Sequence, residues 1–156
     1  MTQITVKTSL GFIRLAFDGT DLIRVEQASS IERGDQIPQG ILQPVIDCLE
    51  GRRDGLGIPV KFEGSDFQVK VWEVMRHVSP GQVISYSELA KRAGNMRATR
   101  AAASACGQNP CAIIVPCHRI VRRDKGLGGF AWGLPMKRAL LAREGVHIGP
   151  DSTIIA

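Results

Sequence analysis

Apolar and polar residues alternate over the first quarter of the chain and, from about residue 65 onward, fall into helical spacing. Ile4-Thr5-Val6, Phe12 to Phe17 and Leu22 to Val25 are short strand-like runs. The turn-prone segments Ser9-Leu10-Gly11 and Asp18-Gly19-Thr20-Asp21 separate them, which predicts an antiparallel meander. After a polar stretch from Ser29 to Gly40, the spacing of Ile41, Leu42, Val45, Ile46 and Leu49 ahead of Gly51 predicts one helix packed on that sheet. A loop from Arg52 to Gly57 and a short strand from Ile58 to Phe62 close this first domain, residues 1–63.

The second domain, residues 64–156, reads as mainly helical. Ser65 can cap a helix whose apolar positions Phe67, Val71, Trp72, Val74 and Met75 lie on one side. Ser85-Tyr86-Ser87-Glu88 has capping-box spacing and opens a second helix that stops at Gly94. A third follows Asn95 and runs from Arg97 to Gly107, so that two short helices meet at Ala93-Gly94-Asn95 as a helix-turn-helix. Between Arg100 and Gly107 this third helix is built almost wholly from Ala and Ser. Such a narrow helix can enter a nucleic-acid groove, or equally pack tightly on another backbone. The apolar run Ala112-Ile113-Ile114-Val115 predicts a buried strand, and a glycine-rich loop from Arg122 to Gly133 leads to a last helix over Pro135 to Glu144. The fold class is α+β: a small amino-terminal antiparallel sheet with one helix, followed by a mainly helical domain.

Charge sharpens this division. Of a net +5 over 156 residues, residues 1–64 hold seven Lys or Arg against nine Asp or Glu, whereas residues 85–138 hold ten against two. A basic half of this kind suits a polyanionic partner whose phosphates it would attract with strong salt dependence. Four cysteines without a Cys-x-x-Cys pair read as reduced thiols, and three scattered histidines argue against a structural metal. No run approaches the roughly twenty apolar residues of a membrane span, and the first residues lack a secretory pattern, so the expectation is a soluble, cytoplasmic protein.

Candidate chemistry converges on Pro116-Cys117-His118-Arg119, at the end of the apolar run. The thiolate is the reactive form of cysteine, and an adjacent imidazole lowers the cost of forming it. Glu144, at the end of the last helix, is placed where it could turn back toward that imidazole. In the loop, glycines 126, 128, 129 and 133 allow backbone to approach a ligand, with Phe130 and Trp132 as apolar walls.

With these pieces in order, Pro116-Cys117-His118-Arg119-Ile120 resembles the active-site signature of the O6-alkylguanine-DNA alkyltransferases. The likeness extends over roughly residues 66–145 and takes in Gly81 to Tyr86, Arg97 to Cys106, Asn109-Pro110, Gly133 to Lys137 and Glu144-Gly145. The first 62 residues resemble the family in layout only. The resemblance implies irreversible transfer of an alkyl group, mainly methyl, from O6 of guanine in double-stranded DNA to Cys117. His118 would be the base, Glu144 its orienter and Tyr86 a partner of the departing guanine. It also implies a base rotated out of the duplex and a helix-turn-helix in the minor groove. Arg100 would fill the space left by the base, and Arg97, Thr99, Ala101, Ala103, Ser87 and Arg119 would contact DNA. Asn109 would brace the cysteine segment, and Cys106, Ile120, Gly129, Phe130, Ala131 and Trp132 would line the guanine and alkyl pocket. No cofactor, no metal and a monomeric protein are implied, in the cytoplasm and on the nucleoid in a bacterium.

Two departures stand out. Phe130 replaces a tyrosine found in many members, and Trp132 occupies a position that is glycine in relatives with roomy pockets, which predicts a narrow alkyl cavity. Two other classes remain open. A non-catalytic alkylguanine-DNA binding relative would share the fold but replace the acceptor cysteine, and a helix-turn-helix transcription regulator would explain the charge without Cys117, His118 and Glu144.

Overall fold

The computed structural model describes residues 1–155. The chain divides into two compact units, Met1–Glu63 with Pro110–Ile114, and Gly64–Asn109 with Val115 onward.

In the first unit, β1 (Thr2–Thr8), β2 (Gly11–Asp18) and β3 (Asp21–Ala28) form an antiparallel sheet in the order β1-β2-β3. Register runs from Thr2 opposite Phe17 to Thr8 opposite Gly11 on one side of β2, and an irregularity at Ala16/Phe17 interrupts the other. Ile13, Leu15 and Phe17 on β2, with Leu22 and Val25 on β3, are buried. One face of the meander is therefore core, as period-two alternation requires. Helix α1 (Gln39–Leu49) buries Leu42, Val45, Cys48 and Leu49, one stripe at helical spacing.

Two predicted strands take other forms. Ile58 to Phe62 makes only an isolated bridge, Val60 to Leu22, flanked by Leu22 N donating to Pro59 O and Lys61 N to Leu22 O. Pro59 has no N–H to extend a ladder. Ala112 to Val115 is buried throughout but is not a strand. Cys111 bridges Val25, and the chain then turns through Ile113, whose φ is +76°. A β-branched residue in the left-handed region costs about 1–3 kcal/mol and persists only where its surroundings hold it. Part of that hold is Gly55, where an added Cβ would lie 2.1 Å from Ile114 O.

In the second unit, α2 (Asp66–Arg76) opens on a complete capping box: Ser65 Oγ accepts from Gln68 N, and Gln68 Oε1 accepts from Ser65 N. Its buried Trp72 donates Nε1–H to Ala105 O at 2.8 Å, fastening α2 to α4 (Thr99–Gly107). Between them, β4 (Ile84–Ser85) runs directly into α3 (Tyr86–Arg92), with Ser85 Oγ accepting from Glu88 N as the cap. Helix α4 begins two residues later than its sequence suggests. Asn95 Oδ1 accepts from Arg97 N and Asn95 O from Ala98 N, so Arg97 belongs to the turn. A 3₁₀ turn (Cys117–Arg119), β5 (Ile120–Val121) and α5 (Leu134–Arg143) complete the described elements. No helix among the described residues is long and apolar enough to cross a membrane.

Candidate active site

The segment before Cys117 is tied by a side chain. Asn109 Nδ2 donates to Val115 O at 2.8 Å, just as the chain leaves the turn at Ile113. Pro116 then starts a 3₁₀ turn in which Cys117 N donates to Val115 O and Arg119 N to Pro116 O. Cys117, His118 and Arg119 are all buried. Directly after the turn, β5 pairs in parallel with β4, Ile120 opposite Ile84 and Val121 opposite Ser85. Because Ser85 is also the cap of α3, this two-residue pairing brings Tyr86 beside the cysteine turn.

Glu144 caps the end of α5, and its carboxylate is shared. Oε2 accepts from His118 Nε2 at 3.0 Å and from Arg119 Nη2 at 2.7 Å, while Oε1 accepts from Arg119 Nε at 2.9 Å. Arg119 Nη1 donates to Val78 O at 2.7 Å. Burial acts to raise the Glu144 carboxyl, but the hydrogen bonds and charge of His118 and Arg119 outweigh it and hold the group at about 2. An ionised carboxylate only accepts, so a neutral His118 must carry its proton on Nε2. Burial lowers His118 below the ordinary histidine value, against the pull of Glu144, which keeps the ring neutral at pH 7. Its other nitrogen, Nδ1, is thereby an acceptor, and it is buried with no hydrogen-bond partner among the described residues.

The opposite side of the site is formed by the glycine-rich loop. Gly128, at φ +72°, passes so near Tyr86 that a Cβ there would lie 2.7 Å from Oη. Burial and the proximity of the Cys106 thiol push Tyr86 up to about 12, while a backbone hydrogen bond at Gly129 opposes them, so the phenol keeps its proton. Phe130 meets His118 edge-on at 6.5 Å. Cys106 lies against Cys117, Sγ to the cysteine carbonyl at 3.8 Å, and burial pushes its thiol up. That makes Cys106 a poor nucleophile.

A family model described as the 6-O-methylguanine DNA methyltransferase, DNA binding domain, matches residues 66–146. The chain belongs to this family. It is 33% identical over 141 residues to a probable methylated-DNA--protein-cysteine methyltransferase of Acanthamoeba polyphaga mimivirus, covering 89% of this chain and 93% of that one. It is 47% identical over 87 residues to the methylated-DNA--protein-cysteine methyltransferase of Haemophilus influenzae, covering 56% of this chain and 49% of that one. Among solved structures, Mycobacterium tuberculosis OGT in complex with DNA superposes with a TM-score of 0.77 at 32% identity, covering 90% of both chains. The chain spans about a third to a half of the length of several curated relatives it matches.

Family membership frames where the sequence-derived residues fall. Cys117 and His118 share one turn, Glu144 joins the imidazole, and Tyr86, Phe130 and Gly129 border them. Ile120 is fully buried beneath the turn, Gly129 and Ala131 are exposed, and Trp132 is half-buried. On the helix-turn-helix, Arg97, Arg100 and Ala101 are exposed and Ser87, Thr99 and Ala103 half-buried, while Ala102, Ala105 and Cys106 face the core. Tight packing of the small-residue helix on its neighbours is what its inner side shows, while Arg100 and Ala101 lie exposed on the outer side.

One assignment needs correction. Arg119 is 3% exposed and bound to Glu144 and Val78, so it is not available to contact DNA. Lys137, to which the sequence assigned no site role, also borders the site: fully buried, it donates from Nζ to Ile120 O at 2.6 Å and to Gly129 O at 3.1 Å, 6.0 Å from the Tyr86 ring centre. Burial pushes its ammonium down to about 8. Its signal was present in helical spacing, since Lys137, Leu140, Leu141 and Glu144 share one face of α5.

The pairing sets an acid limit. Glu144 sits at about 2 folded against about 4.5 free, so its stabilisation is complete above that higher value and drains away as pH falls through the window toward 2. Glu144→Ala is expected to cost about 3–5 kcal/mol at pH 7, because it strands a buried guanidinium. Urea unfolding should show the gap between variant and wild type narrowing from pH 5 to pH 2.5; a constant gap would contradict the pairing.

Proposed function

We propose that this protein repairs DNA by direct reversal, moving an alkyl group, mainly methyl, from O6 of guanine in double-stranded DNA to its own Cys117. The observation that carries this reading is the buried His118–Glu144 pair in the same turn as the buried Cys117, with an unpartnered acceptor nitrogen on the imidazole. His118 Nδ1 takes the Cys117 proton through a bridging water, Glu144 holds the resulting imidazolium, and the thiolate attacks the alkyl carbon. The S–C bond forms as the C–O6 bond breaks, and the electron pair leaves on the guanine oxygen. Guanine regains the proton it lacks at N1, so the proton released by the thiol and the one gained by the base balance. The step as written consumes no cofactor. Tyr86, kept as a phenol, donates a hydrogen bond to the departing base, and the Lys137 ammonium adds positive charge where negative charge develops. A thioether has no ready hydrolysis, so each molecule reacts once.

The part that binds and reacts lies within residues 64–156, less Pro110–Ile114, which group with Met1–Glu63 in the other unit. Its helix-turn-helix enters the minor groove, where the exposed Arg97 and Arg100 reach phosphate and the space vacated by the rotated base, and where the small side chains of Thr99, Ala101 and Ala103 permit close approach. The protein acts as a monomer on O6-alkylguanine in duplex DNA. Support comes from the family match over 66–146 and from the likeness to the M. tuberculosis protein crystallised with DNA.

Intact mass after mixing with an O6-methylguanine duplex should rise by one methyl group, and Cys117→Ser should abolish the gain. Unchanged wild-type mass with retained binding would instead indicate an alkylguanine-binding protein. Trp132 should narrow the alkyl cavity. Methyl transfer is expected to exceed benzyl transfer by about 10–200-fold, the range one pocket misfit commands, and Trp132→Gly should close most of that gap. Equal rates in the wild type would reject the narrow cavity.

A further inference from the structure

The residues after α5 form a structure of their own. Gly145, at φ +86°, ends the helix, and Val146 N donates back to Leu141 O. The chain then makes a small hairpin: Ile148 bridges Ile154, Gly149 N donates to Thr153 O at 2.8 Å, and Ile155 N donates to His147 O at 2.9 Å. Its returning arm docks on the glycine-rich loop. Thr153 bridges Gly126, and Ile154 N donates to Lys125 O at 3.0 Å. The Ile154 side chain is buried in one apolar cluster with Val121, Leu127, Leu141 and Val146. Arg138 on α5 reaches the hairpin through Ser152 Oγ.

This cluster is continuous with the site. Leu127 is its loop member, and the next residues are Gly128, packed on Tyr86, Gly129, whose carbonyl holds Lys137, and Phe130, edge-on to His118. The loop has no helix or strand of its own between Arg122 and Gly133, and glycines stand at 126, 128, 129 and 133. A segment so rich in glycine loses much conformational freedom when ordered, so its position depends on what anchors it. One end is anchored at the site by Lys137; at the other, Arg122 N donates to Gly126 O, Gly126 N to Asp124 Oδ1 and Leu127 packs on Val121 and Leu141, and the tail adds the Thr153 bridge, the Ile154 N–H to Lys125 O and the Ile154 side chain.

We infer that the carboxy-terminal hairpin is a clasp for the base-binding loop and that Ile154 is a positioning residue for the proposed reaction, acting through Leu127 on the Gly128–Phe130 wall. This rests on the alkyltransferase reading. Ile154 touches neither the thiol nor the imidazole, so its effect should fall on binding of the base and not on the thiol.

The test compares Ile154→Ala and the conservative Ile154→Val with wild type by single-turnover methyl transfer from an O6-methylguanine duplex, alkylation of Cys117 by iodoacetamide, and amide hydrogen exchange. For Ile154→Ala the half-saturating duplex concentration should rise about tenfold while the limiting transfer rate changes by less than about threefold, a KM-type effect. The iodoacetamide rate should be unchanged, and exchange should quicken at residues 126–130 but not in α2. Ile154→Val should restore most of the difference, and if the alanine variant does not fold, Ile154→Thr, close to valine in shape but polar, should show the same rise in half-saturating duplex and faster exchange at 126–130. Unchanged loop exchange, or transfer and iodoacetamide rates falling together, would overturn the inference. If the wild type transfers no methyl group, the alkyltransferase reading fails, whereas the exchange measurement still decides whether the tail holds the loop.

Discussion

The carboxylate of Glu144, held between Arg119 and His118, is the constraint on which the site depends. Buried charges are costly to desolvate and an ion pair seldom repays that cost in stability alone. Here the arrangement has a chemical consequence. Arg119 engages both carboxylate oxygens, and Oε2 accepts the imidazole Nε2 proton as well, which leaves Nδ1 as the acceptor. Arg119 also reaches the Val78 carbonyl beyond α2, so a single guanidinium joins the end of α5, the cysteine turn and the segment following α2. Burial lowers the histidine, whereas the hydrogen bonds and charge of His118 and Arg119 lower the glutamate against that same burial.

Around that core, backbone economy places the remaining groups. Two residues of parallel pairing set Tyr86 against the turn, and one amide, Asn109, ties Val115 where the chain emerges from a left-handed isoleucine. Lys137 connects the floor of the site to its loop wall by two carbonyls. Small side chains on α4 serve both sides of that helix: Ala105 lets Trp72 reach its carbonyl, and Ala101 leaves the outer face low.

Much of this was legible in the sequence because it is local. Alternation gave the meander, Ser65 and Ser85 marked two helix starts, and the neighbouring Cys117 and His118 announced the chemistry. What escaped depends on distant partners. Arg119 lies in a basic half and reads as surface until Glu144, 25 residues later, is seen to hold it. Lys137 was hidden by the same assumption about charge, although its helical face was apolar. With both cations buried, the surface field of residues 85–138 is weaker than their count suggests. Ile113 belongs to a β-branched run that favours strand, and only the close approach of Gly55 to Ile114 reveals a turn there. Helix α4 starts late because Asn95 competes for the first amides. The tail gave no signal at all, since its apolar residues are few and its contacts lie in a loop twenty or more residues back.

The imidazole itself offers the most direct test. Nitrogen-15 NMR of the histidine rings at pH 7 should show His118 neutral, protonated at Nε2 and bare at Nδ1. A His118 that is doubly protonated at pH 7, or that carries its proton on Nδ1, would contradict the account.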